Sequence, residues 1–168
     1  TLKLMSKIEV KDLYLIFGNQ TRRALNLVKK GMSKDEVLEK TKCTLAVKNN
    51  NFSIEQGEIF VVMGLSGSGK SSLIRCFNRL NEPTSGSIKV SGKDVTKMNE
   101  NELRELRRSQ MSMVFQHFGL LPHRTVLSNT AFGLEIHGKP DQENFEKARE
   151  MLKTVGLAGY EDMMTSEL

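Results

Sequence analysis

An α/β fold is what the chain predicts, and three observations carry that expectation. Residues 59–63 (IFVVM) form a short continuous apolar run, the pattern of a strand buried on both faces. A glycine- and serine-rich loop, GLSGSG, follows at once. Beyond it, residues 71–81 set Leu73, Ile74, Phe77 and Leu80 at helical spacing. The 168 residues suit about one domain. A hydrophobic share of 38% beside 27% charged residues is an ordinary globular balance, which argues against a disordered chain and against a disulfide scaffold. No window approaches the roughly 18 uninterrupted apolar residues that a membrane-crossing helix needs. Residues 1–7 carry no apolar secretion signal. The leading TLKL reads as an added remnant, with Met5 as the native start.

The elements follow in order. Residues 8–16 (IEVKDLYLI) are rich in β-branched and aromatic side chains, begin with period-two alternation and predict a strand, broken at Gly18. Residues 21–30 and 33–40 predict two short helices separated by Gly31. The second opens with Ser33 and, three residues on, Glu36, a capping-box spacing. Residues 45–54 read as a strand with a polar middle, followed by a turn at Gln56-Gly57. After the loop and its helix, residues 83–86 (PTSG) end that helix, 87–90 form a strand and Ser91-Gly92 a turn. Residues 99–109 predict a helix with Asn99 as N-cap and Glu102 at the third position. Residues 111–115 (MSMVF) predict a second buried strand, and residues 116–124 a loop containing Pro122. Residues 126–137 predict a helix closed by Gly138, and 141–155 another, capped near Asp141 and ended by Gly156.

Charge is unevenly placed. The net charge is +5, and residues 1–57 hold 11 basic and 6 acidic side chains against 14 and 14 in the remainder. The basic segment predicts contact with phosphates, acidic headgroups or an acidic partner, unless it is simply a solvated lysine-rich surface. Nucleic acid is not expected: aromatic residues are 6% and no basic run is interleaved with rings. Cys43 and Cys76 lie far apart in sequence without metal-ligand spacing and read as reduced thiols. His117, His123 and His137 form no zinc pattern.

The chemistry sits in GLSGSGKSS, residues 64–72, which fits G-x-x-x-x-G-K-[ST]. Its four fixed positions recur by chance in roughly one chain in 200 of this length. Gly64, Gly67 and Gly69 permit dihedrals that a side chain forbids, so successive N–H groups of Leu65, Ser66 and Ser68 can turn toward one centre. They stand beside the positive end of a helix beginning near Lys70, a site for the phosphates of a nucleotide. Lys70 is suited to the β- and γ-phosphates, the Ser71 hydroxyl to Mg²⁺, and Ser72 to the α-phosphate. Gln116, at the end of the second apolar run, offers an uncharged oxygen to Mg²⁺ and to a water near the γ-phosphate; the bland alternative is an exposed loop amide. The apolar side chains behind it, Phe118, Leu120, Leu121 and Pro122, are unusual for solvent unless a partner covers them.

On these residues the chain resembles the ATP-binding cassette (ABC) transporter ATPases, from GEIFVVMGLSGSGKSSLIRCFNRLNEPTSGSI through VFQHFGLLPHRTVLSNTAFGLE. The insertion RRALNLVKKGMSKDEVLEKTKCTLAVKN looks like the helical insert of the ATP-binding subunits of glycine betaine/proline importers, used in osmoprotection. The likeness runs from Ser6 to Leu168. It implies a P-loop NTPase fold of ABC type: a RecA-like core, an antiparallel β subdomain and the start of a helical subdomain. It implies one such domain over residues 1–168, with residues 20–43 as the insert and 116–168 as the Q-loop and helical part. The ligands implied are ATP and Mg²⁺. The resemblance gives Gly64 to Ser72 the phosphates, Ser71 and Gln116 the metal, and Lys70 and Gln116 roles in turnover. It gives an aromatic side chain near the first strand the adenine; Phe17 is the first candidate, against the rival reading of a buried core ring, and Tyr14 the second. Two partners are implied: a second copy of the subunit, and a membrane-spanning subunit met by the loop from Gln116 to Arg124. The implied location is the cytoplasmic face of the membrane, held there through that subunit.

The chain departs from the pattern after Glu167-Leu168, where the family continues with its signature, the Walker B strand with its carboxylates, and a switch histidine. No acidic strand of that kind lies between Ser72 and Leu168, so residues 59–63 are expected to keep an unpaired apolar edge. Two other readings stay open. One is a small P-loop metabolite kinase, with Arg104, Arg107 and Arg108 as a lid, although their spacing with Glu102 and Glu105 looks like a solvated helix face. The other is a non-catalytic nucleotide-binding module. Since hydrolysis needs a carboxylate at the attacking water and another at the metal, this stretch alone is expected to bind nucleotide without turning ATP over. Phosphate release exceeding one per chain, and abolished by Lys70→Ala, would refute that.

Overall fold

The computed structural model describes residues 6–115, 119–138 and 141–168. The readings that fall on residues 1–5 and on Gln116, His117 and Phe118 therefore lie outside the described residues. The chain divides into two compact units, one ending at Ser112 and the other Met113–Leu168.

The first unit is built on an antiparallel sheet. Its strands are β1 (Ile8–Phe17), β2 (Thr44–Ile54), β3 (Ser85–Val90) and the two-residue β4 (Lys93–Asp94), in the order β2-β1-β3-β4. Between β1 and β2 stand helices α1 (Thr21–Lys29) and α2 (Lys34–Thr41). The pattern along β1 explains why they are needed. Val10, Leu13 and Leu15 face one core, shared with Val47, Ile88 and Val90. Tyr14 and Ile16 face the opposite side, where Ala24, Val28 and Val37 of the two helices cover them. The pairing register shifts between Val10 and Leu13, where Asp12 turns left-handed (φ 46°) and donates its N–H to Asn51 Oδ1 at 2.8 Å. Beyond this bulge the strand is buried on both faces, so its alternation disappears.

Local signals set the helix starts. The Ser33 N–H donates to Glu36 Oε2 at 2.8 Å and the Glu36 N–H to Ser33 Oγ at 3.3 Å. The same reciprocal pair joins Asn99 and Glu102 ahead of α4 (Glu100–Ser109). These bonds satisfy amides that the first helical turn leaves without partners. The Ser91-Gly92 turn takes positive φ at both residues, the hairpin geometry that joins β3 to β4.

Four expectations are corrected. Residues 59–63 are extended but form no strand: among the described residues no segment hydrogen-bonds to them, and only one side is covered. Phe60 stacks on Phe52 at 4.9 Å, and Val62 packs on the main core, whereas Ile59 is 90% and Met63 85% exposed. A strand exists only through its neighbours, and an apolar run with none stays a bare ribbon. Residues 111–115 likewise form no strand, and Val114 and Phe115 are exposed. The helix expected over 71–81 is shorter: α3 spans Lys70–Phe77, and Ile74 and Leu80 of its expected stripe are exposed. Arg79 ends it in a left-handed turn (φ 52°), its guanidinium donating to the carbonyls of Met98 (2.6 Å) and Val95 (3.2 Å). Arg107 is part of the same anchorage. It is half-buried and donates to Asn78 O at 2.8 Å and Arg79 O at 3.2 Å, so it belongs neither to a lid nor to a solvated face.

The second unit pairs α5 (Val126–Ile136) with α6 (Asp141–Thr154) over Val126, Leu127, Ala131, Ala148 and Leu152. The Asn129 amide shapes the loop before α5. Its oxygen accepts from Leu121 N–H at 2.7 Å, and its NH₂ donates to the carbonyls of Leu121, Arg124 and Thr125. Arg124 pairs with Glu135 at 2.7 Å and lies over the Phe132 ring.

The bonds from Ser33, backbone first and hydroxyl second, hold the Glu36 carboxyl below its usual 4.5. A carboxyl lowered on folding stabilises above its unfolded value, and that contribution fades as pH falls through the folded one. Glu36→Gln is therefore expected to cost stability at pH 7, with the difference from the unsubstituted protein shrinking below pH 4.5. Urea midpoints taken across that range would check it, and a pH-independent difference would contradict it.

Candidate functional site

Residues 64–69 run from the bare apolar ribbon into the first turn of α3. The Ser68 N–H donates to Leu65 O at 3.2 Å, closing a turn, and the Leu73 N–H donates to Gly69 O at 2.8 Å, starting the helix. Gly69 is the N-cap residue, with φ at +96°. A Cβ there would stand 2.1 Å from the carbonyl oxygen of Ala46 on β2. Glycine is therefore required twice, by the dihedral and by the close approach. Gly67 also takes positive φ (+75°), but with open space around it. The N–H groups of Lys70, Ser71 and Ser72 belong to the first turn of α3 and are free of intrahelical partners.

Lys70 is folded back over its own loop. Its ammonium donates to the carbonyls of Gly64 and Leu65, each at 2.8 Å. This draws the loop into a ring around the start of α3. Leu65 and Ser66 stand at its exposed rim. Two cavities flank the ring. The larger, about 460 Å³, is lined by Val62, Gly64, Ser68 and Lys70 together with Lys34 and Lys48. The smaller, about 240 Å³, is lined by Phe17, Thr44, Gly67, Ser71, Ser72 and again Lys34. Among the described residues no carboxylate lines either cavity, so both favour an anion.

The two aromatic candidates separate. Phe17 ends β1 opposite Thr44, is 43% exposed, and shares the smaller cavity with the loop. Tyr14 is buried in the core beneath α1 and α2, with Lys29 over its ring. Gln116 lies outside the described residues. The cavity lining contributed by Thr44, Ala46 and Lys34 was missed in the sequence, because these residues reach the loop only through strand pairing and the packing of α1 and α2 on β1. The one signal pointing their way is the excess of basic residues before residue 58, to which Lys34 and Lys48 belong.

Both cysteines are buried. The Cys76 thiol, one turn beyond Ser72, donates to Ser72 O at 3.2 Å, and burial, with the Glu82 charge adding to it, pushes its pKa up to about 12. It is thus protonated at neutral pH and takes no part in ligand chemistry. Among the described residues no three His, Cys, Asp or Glu side chains gather to hold a metal, and no helix is long and apolar enough to cross a membrane. A divalent cation here fits only as the companion of a bound phosphate chain. Mg²⁺ takes few protein ligands beside phosphate oxygens and waters, and the Ser71 hydroxyl suits that donor set.

Known proteins resemble this chain over most of its length. Residues 47–168 match the family model described as ABC transporter. The glycine betaine/proline betaine transport system ATP-binding protein ProV of Salmonella typhimurium is 52% identical over 162 residues, covering 96% of this chain and 40% of that protein. The glycine betaine/carnitine transport ATP-binding protein GbuA of Listeria monocytogenes is 52% identical over 164 residues, covering 98% of this chain and 41% of that one. The chain thus spans about 40% of the length of these curated relatives. Among solved structures, a dimeric post-hydrolysis state of the ATP-binding cassette MJ0796 bound to ADP and Pi superposes with a TM-score of 0.77 at 25% identity. That match covers 96% of this chain and 62% of that one.

The contact between Gly69 and Ala46 makes a prediction. Gly69→Ala is expected to destabilise the protein more than Gly67→Ala. Each carries a left-handed dihedral costing about 1–3 kcal/mol for a non-glycine residue, but only at Gly69 does the new methyl meet a carbonyl. Denaturant unfolding of the two variants would compare them, and equal losses would remove the close approach from the account.

Proposed function

The chain belongs to the ABC transporter family, and from that membership we propose that it forms the phosphate- and adenine-binding part of an ATP-driven importer subunit. The observation that carries this reading is the ring of residues 64–69 closed by Lys70 on the carbonyls of Gly64 and Leu65. Its two carbonyl bonds are replaceable one for one by phosphate oxygens, so Lys70 can exchange a neutral acceptor for a charged one at little steric cost. The loop from Gly64 to Ser72 then holds the phosphate chain, led by the amides of Lys70, Ser71 and Ser72 that have no intrahelical partner. The exposed face of Phe17 takes the adenine, and its place beside Ser71 and Ser72 supports it over the buried Tyr14. ATP binds with Mg²⁺, which offsets charge on the β- and γ-phosphates; Ser71 and Gln116 are the protein oxygens assigned to hold it.

In this reading hydrolysis belongs to a dimer of two such subunits, each sandwiching nucleotide against the other. The carboxylates for it lie on a further strand that pairs with the backbone edge of residues 59–63, which has no strand partner among the described residues. The exposure of Ile59, Val61 and Met63 supports a neighbour there. The region from Gln116 to Arg124 meets the membrane-spanning partner at the cytoplasmic face of the membrane. Its described part is apolar at Leu120 yet held in shape by Asn129, which suits a preformed docking loop. The names of the similar proteins support a glycine betaine or proline-type osmolyte as cargo. The kinase alternative loses support because the donors of Arg107 are engaged by Asn78 and Arg79.

Lys70→Ala in the protein at its full natural length is expected to weaken ATP binding at least roughly tenfold, as removing a charge-assisted contact does, and to abolish ATP-driven uptake. Calorimetric titration and transport in vesicles would read the two effects. ATP binding of unchanged strength in that variant would overturn the assignment of the loop.

A further inference from the structure

Lys34 is the first residue of α2, and a lysine there works against its own helix. The first turn of a helix carries a partial positive charge, which favours acids such as the following Asp35 and Glu36 and disfavours an ammonium group. No hydrogen bond or ion pair joins Lys34 to any described residue, and its side chain is exposed. It nevertheless lines both cavities that flank the loop of residues 64–69, the smaller one together with Phe17, Ser71 and Ser72. Lys34 is thus an unneutralised cation beside Lys70, in cavities that no carboxylate lines among the described residues.

Its position follows from the fold of the insert. The capping box at Ser33 and Glu36 fixes where α2 begins. Val37 and Thr41 bury its inner face, and Thr41 ties the helix end to Cys43, just before β2. The first turn of α2 is thereby held over the end of β2 that carries Thr44, Leu45 and Ala46, the residues against which the loop is seated.

We propose that Lys34, a residue of the helical insert, is a second lysine for the nucleotide, contacting the phosphate chain from the cavities that flank the loop. This rests on the nucleotide reading of the loop and deepens it: the insert becomes part of the ligand site. A bound polyphosphate supplies the missing counter-charge, so the local cost of a cation at the helix start is offset only in the ligated state. The insert then senses occupancy of the site, since α2 is stabilised when phosphates are present.

The test is calorimetric titration of ATP and ADP into the full-length protein and into Lys34→Ala, Lys34→Arg and Lys70→Ala, at low and high salt. Lys34→Ala is expected to weaken both nucleotides roughly five- to tenfold at low salt, with the gap narrowing at high salt as screening removes the contribution. Lys34→Arg is expected to bind within about threefold of the unsubstituted protein, because an arginine also donates to phosphate. Thermal unfolding of each variant without nucleotide confirms that the exposed side chain is not holding the fold. Unchanged affinity in Lys34→Ala overturns the proposal while leaving the loop assignment intact. A loss that salt does not alter and arginine does not restore overturns it too, since packing rather than charge would then be the cause. Absence of binding by the unsubstituted protein overturns the nucleotide reading, and this inference with it.

Discussion

The seating of Gly69 on the carbonyl oxygen of Ala46 is the contact on which the rest of the site depends. It is made backbone to backbone, with no room for even a methyl group. Through it the start of α3, and so the loop before it, takes its position from β2. The register of the sheet then does the remainder. Phe17 on β1 pairs with Thr44 on β2, two residues before Ala46, which sets an exposed ring beside the serines of the loop. An aromatic side chain and a glycine loop that are about fifty residues apart in sequence thus come together through one strand pair and one missing side chain.

A second constraint comes from α1 and α2. Two short helices could not bury their apolar faces against each other alone. They are stable because β1, beyond its bulge at Asp12, offers Tyr14 and Ile16 on the face away from the main core. Covering that face carries Lys34, the first residue of α2, to the rim of the cavities. The excess of basic residues before residue 58 therefore has a local consequence: two of its lysines, Lys34 and Lys48, line the larger cavity beside Lys70.

Residues 59–63 show the limit of a hydrophobic pattern. Phe60 and Val62 are held by Phe52 and the main core, while Ile59, Val61 and Met63 stand in solvent. The alternation is that of a strand with a covered side and a bare one. The apolar run states that both faces want partners but contains nothing about which segment supplies the second. Arg107 teaches the same lesson from the polar side. Its helical spacing with glutamates suggests a solvated face, yet its guanidinium closes the end of α3, a contact set by a tertiary crossing that helical periodicity does not encode.

What the sequence determined by itself is local. The capping boxes at Ser33 and Asn99, the turn at Ser91-Gly92, the glycine loop and the lysine after it all act within a few residues, where spacing alone fixes which donor meets which acceptor. The family was legible for the same reason, because its most telling motif is a continuous stretch. What only the tertiary structure decided is which distant groups share a cavity: Phe17 rather than Tyr14 beside the loop, Ala46 beneath Gly69, and Lys34 at the rim. Those choices depend on strand register, on the bulge at Asp12 and on the face that α1 and α2 cover. They are energies of pairing and burial between segments far apart in the chain, and no window of sequence contains both partners.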